Sequence, residues 1–256
     1  MKSTAVAKPM PARRHIGLIA LILSMTAAPA NASTTETHSM QTASATPSGD
    51  TTLGARQRAI VPIAAFGSAG DIGGLNKALN DGLDAGLAVN EVKEILVQLY
   101  AYAGFPRSLN ALAEFMKVLE ARKARGVADI VGALPSHPAL AGDALLQAGT
   151  ANQTRLAGAP VRGPLFDFAP AIDTYLKTHL FGDIFERDNL DWQSRELATI
   201  GMLSAMPGVE SQLKAHIRIG MNVGLGVGQL RELAQVLAER VGGDAASRLR
   251  IALDGR

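Results

Sequence analysis

Apolar side chains at Val92, Ile95, Leu96, Leu99 and Ala103 fall at the i, i+3, i+4, i+7 spacing of one helix face, and Gly104-Phe105-Pro106 closes the segment. The same stripe returns at Leu230, Leu233, Leu237 and Val241, ended by Gly242-Gly243. The two segments align without a gap. Gly86, Leu87, Val89, Glu94, Leu99 and Gly104 recur as Gly224, Leu225, Val227, Glu232, Leu237 and Gly242, an offset of 138 residues. Upstream the offset is 137, pairing Arg58 with Arg195 and Ile63 with Ile200. Self-similarity at a fixed offset marks a repeated structural unit. The pattern predicts two units of about three helices each, at 55–125 and 166–256, packed about a pseudo-twofold axis so that each apolar stripe has a partner.

The intervening residues 126–165 are rich in Gly, Ala and Pro and read as a linker with a short helix around Ala139–Gln147. A further amphipathic helix is expected over Ala169–Leu180. At the other end, Lys2, Lys8, Arg13 and Arg14 precede the apolar run Ile16 to Met25 and the small residues Ala30-Asn31-Ala32. This is the three-part pattern of a secretory signal peptide, residues 1–32, cleaved near Ala32. Its apolar run is shorter than the ~20 residues of a spanning helix, so no membrane association is expected after processing. Residues 33–54 are expected as a disordered tail, and the mature protein as periplasmic or secreted.

Composition narrows the class. A hydrophobic content of 47% with only 4% aromatic residues favours closely packed helices, an all-α protein. Loss of the four basic residues of the first segment would take the formal charge from +2 to −2. No dense basic face then remains for phosphates, so nucleic acid is discarded as a partner. The cysteine count of 0 removes disulfides and thiol chemistry, leaving core burial and homo-oligomerisation as the sources of stability. The histidines at 15, 38, 137, 179 and 216 lack metal-ligand spacing, and Gly224-Leu225-Gly226-Val227-Gly228 follows a helix rather than a strand. Neither a metal nor a cofactor is expected.

Two ionisable residues stand out. Glu196 precedes Ile200 and Leu203 by four and seven residues, and His216 lies between Leu213 and Gly220 at i−3 and i+4. Both therefore face the apolar side of consecutive helices, where an unpaired charge costs several kcal/mol. They are expected to meet each other or share a water, either as a structural pair or as an acid–base pair. The corresponding positions of the first unit hold Ala59 and Ala78, so the unit forms without the pair, which favours function. Arg195 is a candidate partner for a substrate carboxylate, although its recurrence as Arg58 equally suits a structural role. Tyr102, Phe105 and Asn110, around the helix break of the first unit, are candidate substrate-binding residues, though punctuation alone accounts for much of that motif.

The run Glu94 to Pro106, with Arg195-Glu196-Leu197-Ala198-Thr199-Ile200 and Gln212-Leu213-Lys214-Ala215-His216-Ile217, resembles the carboxymuconolactone decarboxylase family over about 56–125 and 166–252. The lead-in Phe181-Gly182-Asp183-Ile184-Phe185 is similar as well. The resemblance implies an alkylhydroperoxidase D-like helical fold, assembly as a trimer of duplicated chains, and sites near subunit contacts. It also implies cofactor-free decarboxylation as a relevant reaction. Glu196 and His216 match the Glu and His of the alkylhydroperoxidase D branch. That branch carries cysteines where this chain has Val209 and Gln212, so dithiol peroxidase chemistry is not available. The resulting expectation is an enzyme, a lyase or isomerase using His216 and Glu196 on a small carboxylated or lactone-like molecule. The rival is a non-catalytic small-molecule-binding or scaffold protein on the same fold.

Overall fold

The computed structural model describes residues 52–255. The expected signal peptide, its cleavage point and nearly all of the expected tail lie outside the described residues. Those described are all-α. The first set of helices is α1 (Ala55–Ala69), α2 (Ile72–Asp84), α3 (Val89–Gln98), the single turn α4 (Tyr100–Ala103) and α5 (Phe105–Ala124). The last set is α9 (Trp192–Ala205), α10 (Glu210–Asn222), α11 (Val227–Arg240) and α12 (Gly243–Asp254). Between them lie α6 (Gly142–Ala157), α7 (Pro164–Phe168), α8 (Pro170–Tyr175) and a π-helical segment, Leu176–Ile184.

The helix bounds follow the register in which the sequence repeats. Both ends of α2 and α10 are 138 residues apart, as are the starts of α3 and α11 and of α5 and α12, while α1 and α9 start 137 apart. The turn before α3 and the turn before α11 are built alike. Leu87 N–H donates to the Gly82 carbonyl and Leu225 N–H to the Gly220 carbonyl, across Gly86 and Gly224 with positive φ. Each set holds four main helices, one more than the spacing predicts, and the first set adds the single turn α4; the last helix of each set begins directly after Gly104 or Gly242.

The stripes are buried as their spacing requires: Val92, Ile95, Leu96, Leu99, Leu230, Leu233 and Leu237 have no exposed surface. They join one apolar core drawn from both sets. Its centre is the crossing of α1 and α9, where a Cβ on Gly201 would come within 3.0 Å of the Val61 carbonyl oxygen. Only a side chain of that size lets the two backbones approach so closely.

Across this crossing, two ion pairs exchange partners. Arg195 of α9 donates to Glu94 of α3 at 3.1 Å, and Arg58 of α1 pairs with Glu232 of α11. Arg58 and Arg195 are repeat equivalents, as are Glu94 and Glu232, so each set lends its arginine to the other's glutamate. Such reciprocity is the signature of an interface with twofold character. The pairs differ in burial: Arg195 has no exposed side-chain surface and Glu94 4%, against 40% for Arg58 and 15% for Glu232.

The connection differs from expectation. The helix anticipated at Ala139–Gln147 begins at Gly142 and continues to Ala157. Its buried face is Gly149, Asn152, Gln153 and Leu156, helical in spacing but mostly small or polar, so a hydrophobic pattern does not reveal it. The helix anticipated over Ala169–Leu180 starts one residue later, at Pro170, because Ala169 before a proline disfavours helical backbone, and it is α-helical to Tyr175. It then widens into the π segment. There a Cβ on Gly149 would fall 1.8 Å from the Lys177 carbonyl oxygen, so α6 lies directly against the π segment's backbone. Phe181, Phe185, Leu180, Ile184, Leu156 and Ile219 form a second apolar cluster at this junction.

Burial of Glu94 by itself raises its pKa, but the Arg187 hydrogen bond and the charge of Arg195 outweigh this and hold it below its ordinary value of 4.5. The stability it confers is thus full above that value and declines as pH falls through the lowered one. Glu94→Ala strands Arg195 and is expected to cost about 3–5 kcal/mol in urea unfolding at neutral pH. Glu232→Ala, at the less buried counterpart, is expected to cost less, about 1–2 kcal/mol.

Candidate acid–base site

His216 sits on α10 and Glu196 on α9, one turn after the N-cap at which the Asp191 carboxylate accepts from Ser194 N–H. Their side chains meet where the two helices pack. His216 Nδ1 lies 2.8 Å from Glu196 Oε2, with Glu196 fully buried and His216 7% exposed. The expected encounter of the two inward groups is therefore present in the structure. A carboxylate only accepts, so Nδ1 donates to it, and in the neutral imidazole this leaves Nε2 with its lone pair. Glu196 Oε1 is buried with no hydrogen-bond partner among the described residues.

Nε2 faces the other set of helices. The Tyr102 hydroxyl, on the single turn α4, stands 3.4 Å from it, with the phenol ring edge-on to the imidazole at 5.4 Å. Burial first, and the nearby Glu196 charge second, push the Tyr102 phenol well above its ordinary value of 10. Thr199 and Arg195 act in the opposite direction and are outweighed. The phenol is thus a neutral O–H donor at physiological pH. The site is composite, with the pair supplied by α9 and α10 and the hydroxyl by α4.

Arg195, expected as a carboxylate partner for substrate, has a carboxylate of its own in Glu94. It also donates to Gln98 Oε1 at 3.2 Å and to the Arg187 carbonyl at 2.8 Å, and its side chain has no exposed surface. Its place is structural. Phe105 is 62% exposed and stacks on Tyr100 with centroids 4.5 Å apart, and Asn110 is exposed on α5. Among the described residues no hydrogen bond or ring contact links Phe105 or Asn110 to His216.

Two residues that sequence reasoning did not single out complete the setting. Gln98 donates to Thr199 Oγ1 at 2.7 Å and to the Arg195 carbonyl at 3.0 Å, bracing α3 against α9 beside the pair. Arg187 donates to both oxygens of Glu94, from Nε at 2.9 Å and from Nη2 at 2.7 Å. The signal available for Gln98 is a polar residue three positions after Ile95 on a buried stripe; for Arg187 there is none within its own neighbourhood of sequence. At the positions equivalent to Glu196 and His216 lie Ala59 and Ala78, both buried in the core.

The carboxymuconolactone decarboxylase family model matches residues 170–254. The chain carries a carboxymuconolactone decarboxylase family domain. Glu196 and His216 lie inside that decarboxylase-family domain, whereas Tyr102, Gln98 and Glu94 lie outside it. The all-α architecture is consistent with that family's fold. No curated protein matches the chain.

The chain has three tyrosines. In a spectrophotometric titration the Tyr102 phenol is expected to ionise well above 10, as the highest-pH component, and Tyr102→Phe should abolish that component. Because the folded state keeps this proton after the unfolded chain would release it, stability should be full below 10 and fall as pH rises beyond it.

Proposed function

We propose that the protein is a cofactor-free lyase or isomerase that moves a proton on a small carboxylated or lactone-like molecule, with His216 exchanging the proton and Glu196 orienting the imidazole. The observation that carries this reading is the buried 2.8 Å contact between His216 Nδ1 and Glu196 Oε2, set against Ala59 and Ala78 in the counterpart positions. A helical set that forms around two alanines does not need the pair for folding. Buried ionisable pairs that a fold can do without are concentrated at functional sites. The carboxylate fixes one tautomer and lies where positive charge forms when Nε2 takes a proton. With no cysteine in the chain, a dithiol peroxidase is not part of this proposal.

The setting is part of the same reading. The basic, apolar and small-residue run at 1–32 supports export and a periplasmic or secreted mature protein. Phe105, Leu109 and Met116, exposed along one side of α5, support a homo-oligomer, proposed as a trimer. The matching helix registers support descent of the two sets from one duplicated unit.

The test is turnover of γ-lactones and β-keto acids by the purified mature protein. His216→Ala and Glu196→Gln are each expected to lower kcat by about 10²- to 10⁴-fold, the usual worth of a positioned acid–base group. Turnover unchanged in both variants would remove the assigned roles.

A further inference from the structure

We propose that the protein holds a second ligand site, separate from the Glu196–His216 pair, which takes a zwitterionic peptide of dipeptide size. The site is a cleft of about 750 Å³ in the connection between the two sets of helices. One wall is α6, another is the loop 160–163 with α7, and α8 with the start of the π segment completes the lining. No lining residue lies on α4, α9 or α10, so the cleft shares no side chain with the acid–base site. Its volume is that of a small-molecule cleft. The wall carrying Gln153 is held in place before any ligand arrives. Gly149, one turn earlier on α6, lies against the Lys177 carbonyl, and Asn152 donates to the Phe181 carbonyl at 3.0 Å.

The groups that the cleft leaves unmet define its occupant. Gln153 is 3% exposed and lines the cleft, yet its side-chain amide makes no hydrogen bond among the described residues. Buried amides are nearly always bonded, so this one is served by whatever enters the cleft. It offers N–H and C=O side by side. A peptide group answers with one acceptor and one donor, whichever way the amide is turned. Lys177 is already committed, since its amine pairs with Asp173. Arg162 and Asp167 also line the cleft and are exposed, and neither side chain has an ion pair or hydrogen bond among the described residues. The cleft thus presents one open cation and one open anion beside an open amide. A simple organic anion would answer Arg162 but meet Asp167 with like charge, whereas a zwitterion answers both. The terminal carboxylate goes to Arg162, the ammonium to Asp167 and the peptide group to Gln153. Phe166, in the same lining, gives apolar surface to a side chain.

The probe is glycyl-L-leucine, titrated into the mature protein by isothermal titration calorimetry. Saturable one-to-one binding is expected, weakened about tenfold or more in Arg162→Ala and in Gln153→Leu. Arg250→Ala, on α12 and outside the cleft, should bind as the parent does. N-acetyl-glycyl-L-leucine keeps the carboxylate and the peptide group but has no ammonium, and should bind about tenfold more weakly. Thermal unfolding accompanies each variant. Arg162 is exposed, so Arg162→Ala keeps the fold and decides the matter should Gln153→Leu unfold. No saturable binding at millimolar dipeptide, or parent affinity in Arg162→Ala, overturns the site. Equal affinity for the acetylated probe overturns the assignment of a zwitterion. None of these readouts involves turnover at His216, so they stand apart from the proton-transfer reading.

Discussion

A carboxylate taken out of water among packed helices must be given a partner, since an isolated buried charge would cost more than the folded state has to spare. This protein solves the problem twice, with different partners and different consequences. Glu94 receives two arginines, Arg187 and Arg195, whose charge is permanent, and its pKa is pulled below the ordinary value. Glu196 receives an imidazole, a partner that can change its charge. The first solution fixes helices; the second joins the carboxylate to a titratable ring.

The reciprocal pairs Arg195–Glu94 and Arg58–Glu232 show how two alike sets of helices settle against each other, each closing the other's interface. Departures from that symmetry coincide with the candidate chemistry. The connection α6 through the π segment supplies most of a second apolar cluster, which Ile219 of α10 joins and against which Tyr102 packs. Arg195, rather than its equivalent Arg58, is the arginine sealed from solvent. The more deeply buried of the two ion pairs thus shares α9 with Glu196, where a low dielectric strengthens each electrostatic contact.

Much of this was legible in the chain because burial leaves a period. Val92, Ile95, Leu96 and Leu99 announce their helix, and Glu196 and His216 announce an inward carboxylate and imidazole through their spacing from Ile200 and Leu213. Their mutual approach was legible too, since two inward groups on consecutive helices have few other partners. Tyr102 was read as a candidate substrate-binding residue from the helix break beside it, whereas its contact with His216 spans 114 positions and no local pattern encodes it. Arg195 read as available for substrate because its partner Glu94 lies 101 residues away. The extent of α6 was hidden for another reason: its buried face uses Gly149, Asn152 and Gln153, which carry no hydrophobic signal. The π segment lies where Gly149 approaches the Lys177 carbonyl closely, a tertiary contact that local propensity does not contain.

The central claim is that the Glu196–His216 pair exists for proton transfer and not to hold the helices together. Urea unfolding of the Glu196→Met/His216→Leu double variant tests it most directly, because apolar side chains of similar volume remove the charges and largely keep the packing. The account predicts a cooperative transition with stability equal to the parent or higher. A loss of more than about 3 kcal/mol, the scale on which broken structural ion pairs register, would contradict it.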